Sequence, residues 1–264
     1  MDEYLNQGIK DIIRQFPEVG DILKEYNIGC VPCAVGTCLL KDIIDIHSIA
    51  LDEERELMAR ISGAVHPDQA PATPRIEREP RPSPKQSYSP PMQKLVDEHG
   101  LIKRFVALIP QIMENLDVES EEGRQIVING VDFIRSYADR YHHAKEEDIL
   151  LKYFDEGLEI IKTIYEDHET GRAHVRATLQ ALEDGDKEAV REHLDAYREL
   201  LTEHIEKEDG TLYPWMDRSL SVTQVGELYA RFNAKDEGFG DTPKRYEALI
   251  NRLEQEFAQK EAVT

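Results

Sequence analysis

The sequence is poor in the residues that staple small secreted domains and in those that grip nucleic acid. Only 3 of its 264 residues are cysteine, and all three, Cys30, Cys33 and Cys38, fall in the stretch CVPCAVGTC. That is no disulfide framework, so a reducing compartment is expected. Lysine and arginine total 32 against 53 aspartates and glutamates, a net charge of -21. Such a surface repels phosphate backbones and excludes a nucleic-acid partner. No apolar run approaches the roughly 20 residues of a membrane helix, and the acidic opening MDEYLNQGIKDIIRQF lacks the apolar centre of a signal peptide. The expectation is a cytoplasmic protein with no membrane partner.

Proline is scarce except in one place. Eight of the 13 prolines lie between His66 and Pro91, in HPDQAPATPRIEREPRPSPKQSYSPP. Proline at that density continues neither a helix nor a central strand, and the segment has little to bury. It reads as a semi-extended linker between residues 1–65 and residues 92–264. In the first part, Ile9, Ile12, Ile13 and Phe16 form one short apolar face, and Val19, Ile22, Leu23 and Tyr26 another. Pro17 can begin the second helix and Gly29 can stop it. LLKDIIDIHSIALDEERELMARI reads as two more short helices. The second part carries four long apolar-periodic segments, about 92–116, 121–154, 156–184 and 186–217, with short connections. The fold class is therefore all-α: an up-down-up-down four-helix bundle preceded by a small all-helical domain. Two accessory C-terminal helices are expected near 222–235 and 242–259, with Gly238 and Gly240 at the turn between them.

The histidines sit inside the apolar stripes. His99 falls between Leu95 and Ile102; His168 continues Ile161 and Ile164; His204 and Glu208 continue Leu194, Tyr197 and Leu201. Steps of three and four from Phe133 bring His143 and Glu147 inward and leave His142 and Glu146 turned about 100° away, toward solvent or an outer position. An inward carboxylate is costly unless paired or bound to a metal. Two of them, each four residues after an inward histidine, can each grip one centre. HAKEEDILL and HIEKEDGTL repeat this pattern, and an acidic pair precedes both His99 and His168. The bundle thus has two similar halves, which suits a dinuclear site. Four imidazoles and two carboxylates point to two iron ions, oxo- or hydroxo-bridged, with manganese second. The set leaves coordination positions open for a small ligand such as O2 or NO.

With these motifs in order, DEH at 97–99, HHAKEED at 142–148, EDHETGR at 166–172 and EHIEKEDGTLYP at 203–214, the stretch 92–235 resembles the hemerythrin-like HHE cation-binding family. The resemblance implies a non-haem di-iron bundle with His99, His143, Glu147, His168, His204 and Glu208 as ligands. Oxygen-carrying hemerythrins have a further histidine one turn after the third-helix ligand, where this chain has Arg172. The ligand set looks more like the RIC proteins, di-iron proteins linked to iron–sulfur cluster repair after nitric oxide or oxidant stress. IKDIIRQFPEVGDILKEYNIGCVPC is similar to the small CxxC domain associated with hybrid-cluster proteins, a redox disulfide domain. RIC proteins typically carry adjacent cysteines, whereas Val31 and Pro32 separate Cys30 from Cys33 here. The cysteines could exchange thiols, help hold a cluster or stay inert. Two functions follow. One is a di-iron oxidoreductase of oxidative or nitrosative stress, partnered by iron–sulfur proteins or a redox donor. The other is a module that binds or senses O2 or NO without turnover.

Overall fold

The structure is a computed structural model that describes residues 2–26, 28, 39–41, 43, 49, 51–66 and 88–261. Cys30, Cys33, Cys38 and most of the proline-rich segment lie outside the described residues. The architecture is all-α, and among the described residues there is no strand, only an isolated bridge between Gly8 and Leu39. No helix among them is long and apolar enough to cross a membrane. Contacts divide the chain into two compact units: residues before 88 with 158–163 and 206–219, and residues 88–157, 164–205 and 220 onward.

In the first unit, helices α1 (Ile9–Gln15) and α2 (Pro17–Glu25) are separated at Phe16, and Pro17 takes the first position of α2. Proline suits that position, because its fixed φ is already helical and its missing N–H would have had no partner there. Helix α3 (Leu51–Val65) follows; the segment expected to form a helix before it is largely undescribed. Ile9, Ile12, Val19, Leu23, Leu57 and Ile61 are buried together with Tyr26. Arg60 of α3 holds Glu25 of α2 at 2.9 Å and sits over the Tyr26 ring.

The second unit begins with α4 (Pro90–Glu114), so the last two prolines of the expected linker are already helical, in the first turn. Next come α5 (Glu121–Phe133), α6 (Glu159–Asp184) and α7 (Lys187–Lys207). These four form the expected bundle. Helix α5 does not stop at Phe133. It continues as π-helix through Ile134–His143 and again through Glu146–Leu150. A further π turn, Glu208–Leu212, follows α7 and leads into α8 (Tyr213–Ser219); these residues belong to the first unit. Helices α9 (Val222–Phe239) and α10 (Thr242–Glu261) complete the chain, with Gly240 at φ 53° between them. Gly238, expected at that turn, is still helical.

The accessory helices complete the core. Tyr246, Ile250, Leu253 and Phe257 of α10 are buried in the same cluster as Phe105 and Ile109 of α4 and Tyr137 of the π segment. Arg104 of α4 clamps Glu254 of α10 in a bidentate pair, donating from Nε at 2.9 Å and Nη2 at 2.6 Å. Helix α9 is tied down by a buried lysine. Lys145 is fully enclosed, lies 2.5 Å from Glu98 and 2.6 Å from Asp236, and faces the Tyr141 ring. Asp236 is shared with Lys94 at 2.6 Å.

Three substitutions test this packing. Asp117 accepts the amides of Glu119 and Ser120 through its side chain, folding the loop back over the start of α5. A Cβ on Gly123 would then stand 2.0 Å from the Asp117 carbonyl oxygen. Gly123→Ala should cost about 1–3 kcal/mol in urea unfolding, because backbone must move and the gain in helix propensity does not cover that. Lys145→Met strips Glu98 and Asp236 of their shared buried cation and should cost about 3–5 kcal/mol. The same change at Lys152, half-exposed beside Glu156, should cost under about 1 kcal/mol.

Candidate metal centre

Every fourth residue from Ile134 to Leu150 is buried: Ile134, Ala138, His142, Glu146 and Leu150. In an α-helix a step of four overshoots a full turn by about 40°, so such a series would spiral off the buried face. The i→i+5 turns of a π-helix take in one more residue and absorb that overshoot. The expected orientation is therefore corrected. His142 and Glu146, expected to face outward, are 0% and 1% exposed. Glu147, expected inward, has a side chain 21% exposed and hydrogen-bonds to Arg172 at 2.7 Å. His143 points inward as well, so the widened backbone delivers both neighbouring histidines to the interior.

The imidazoles converge. His143 stacks on His168 with ring centroids 3.9 Å apart, and His168 lies edge-on to His204 at 4.7 Å. The Nε2 atoms of His168 and His204 are 3.1 Å apart. His143, Glu146, His168 and His204 each present a ligand atom within 4.8 Å of the others, all buried. Beside this group, the rings of His99 and His142 are 4.6 Å apart. Glu146 stands between the two pairs, its Oε2 3.5 Å from Nε2 of His168 and 3.8 Å from Nε2 of His142. Glu208 is fully buried at the start of its own π turn, four residues after His204.

Behind the ring nitrogens stands a row of carboxylates. Nδ1 of His142 lies 2.9 Å from Glu98, Nδ1 of His168 2.7 Å from Glu147, and Nδ1 of His204 3.3 Å from Asp167. A carboxylate on Nδ1 fixes the proton there and leaves Nε2 as an inward lone pair, the outer support that metal-binding histidines use. Burial, then the neighbouring imidazoles, pushes His142 and His168 well below the usual histidine range. Both rings are thus neutral and able to ligate. Glu98 is pushed up to about 7 by burial, against the pull of Lys145. Asp139 goes the other way. Burial would raise it, but His143 and Arg172 hold it down at about 2. Arg172 joins Asp139 to Glu147 at 2.7 Å each, closing the side of the site with a cation.

These donors fit a metal: neutral imidazoles with a buried carboxylate between them, which burial alone would disfavour. The sequence held signals for the residues that the stripes missed. Shifting the internal repeat by one residue aligns HHAKEE with HIEKED, so that His142, Lys145 and Glu146 answer His204, Lys207 and Glu208. The acid before His99 supports His142, and the acid before His168 supports His204. A cavity of about 310 Å³ opens beside His143, His168 and His204.

Neither the curated proteins nor the solved structures offer a match to this chain. Residues 91–216, which carry the convergent histidines and the buried carboxylates, match the family model of the hemerythrin HHE cation binding domain.

Proposed function

We propose that this domain holds two non-haem iron ions with donors drawn from His99, His142, His143, Glu146, His168, His204 and Glu208, and that it acts in the redox chemistry of O2 or NO. Glu146 carries the proposal: one carboxylate oxygen stands between two imidazole pairs, where it can serve two ions. Glu208 is assigned by the repeat, as the residue four after His204. Two carboxylates, a majority of imidazoles and a helical bundle suit iron better than a tetrahedral zinc site. Bound iron would supply one-electron chemistry and open positions for a diatomic ligand. The chain's own residues hold the imidazoles in one tautomer, exclude bulk water and keep a guanidinium, Arg172, beside the site. Arg172 is paired with Asp139 and Glu147, so it holds the acid behind His168 in place. The resemblance of the ligand set to the RIC proteins supports a place in nitrosative or oxidative stress, with damaged iron–sulfur proteins as partners. The thiols of Cys30, Cys33 and Cys38 would exchange electrons on a proline-rich tether.

Iron analysis and titration test the assignment. Wild-type protein should bind about two irons per chain. Glu146→Ala should lose most of that iron. Glu147→Ala should still fill at saturating metal, with affinity weakened about 10- to 100-fold through loss of the support behind His168. Equal iron retention in wild type and Glu146→Ala would sink the assignment.

Anaerobic addition of NO to the reduced, iron-loaded protein separates turnover from binding. Consumption beyond one equivalent with an electron donor present, or restoration of a damaged cluster enzyme, is the expected result. Reversible stoichiometric uptake alone would make the domain a sensor or carrier.

A further inference from the structure

The cavity beside the histidines is larger than a diatomic gas needs. A water molecule's share of liquid volume is about 30 Å³, so its ≈ 310 Å³ is room for about ten. That volume lies at the lower end of the size of organic-ligand pockets.

Its lining is sorted by chemistry. Ile134, Val175, Leu179, Leu200 and Leu201 form an aliphatic wall. His143, His168 and His204, all buried, mark the inner end, and the exposed side chains of Arg135 and Arg176 mark the mouth. Tyr197 also lines the space. It is 3% exposed, and its hydroxyl has no hydrogen-bond partner among the described residues. A buried hydroxyl without a partner costs about 1–3 kcal/mol, so something that enters the cavity and accepts its proton would be favoured. The three guanidiniums at the cavity differ in what they already hold. Arg172 is occupied by Asp139 and Glu147, and Arg176 reaches Glu169 at 3.2 Å. Arg135 makes no ion pair among the described residues. Asp139 and Asp167 also line the space, but Asp139 is paired with Arg172 and Asp167 lies against His204, so the unpaired Arg135 at the mouth is the place for an anionic head group.

We propose that the cavity binds a small organic acid bearing a second oxygen: the carboxylate on Arg135, the hydrocarbon along the leucine wall, the second oxygen accepting from Tyr197. This places an organic ligand next to the histidine cluster, a role separate from gas binding, and it does not depend on the metal assignment.

The test measures binding of three probes, 5-oxohexanoate, hexanoate and 2-hexanone, to the full chain by calorimetry and ligand-observed NMR. Iron content is read on the same samples. The oxo acid should bind best, with a dissociation constant of about 1 mM or tighter. Tyr197→Phe should erase its advantage over hexanoate. Arg135→Gln should weaken both acids about fivefold or more and leave the ketone unchanged. Leu200→Trp, which fills the cavity from a partly exposed position, should abolish binding of all three with the thermal melt preserved. No saturable binding of any probe up to about 10 mM overturns the proposal. So does undiminished binding in Leu200→Trp, or a ketone bound as tightly as the oxo acid. Lost probe binding with iron retained would count against this proposal alone; lost iron with probe binding retained would count against the metal assignment alone.

Discussion

An ionised carboxylate among packed helices is stable only where an opposite charge or a set of donors meets it. Glu146 lies inside the second unit under that constraint, 1% exposed between imidazoles that burial keeps neutral. Neutral rings can supply lone pairs to a bound cation. The arrangement of the surrounding side chains follows from this requirement.

For His142, His168 and His204 the support is passed between elements; His143 meets an acid of its own segment, Asp139. Glu98 of α4 orients His142 of the π segment, Asp167 of α6 orients His204 of α7, and Glu147 of the π segment orients His168 of α6. Each of these three histidines therefore reaches its geometry only when two helices are in register. Lys145 extends the chain of contacts outward through Glu98 and Asp236 to α9. The accessory helix so belongs to the same polar network as the interior histidines, which gives it a reason to be there beyond covering apolar surface.

The π segments answer a geometric need. Ile134, Ala138, His142, Glu146 and Leu150 must share a face although they recur every fourth residue, and an α-helix cannot keep such a series aligned over that length. Widened turns do, and they occur at the corresponding place in the other half, from Glu208. Backbone that departs from α-helix at paired positions beside buried ligand-type side chains is common at functional sites. It also admits His143 and His142 to the interior together, so the cavity meets an imidazole that the repeat alone would not require.

The sequence by itself determined the all-α class, the extents of the long helices to within a few residues, and the two accessory helices. Apolar periodicity and prolines state these locally: Pro17 begins α2 and Pro90 begins α4 because each suits a first turn. It also marked His99, His168, His204 and Glu208 as interior, since their α-helical neighbours are apolar on the same face. Only the tertiary structure decided between the two glutamates at 146 and 147. That choice turns on how many residues one backbone turn holds, and the extra residue of a π turn is set by packing against neighbouring helices, not by local propensity. Which acid supports which histidine was likewise beyond reach, because each such pair joins side chains far apart in the chain.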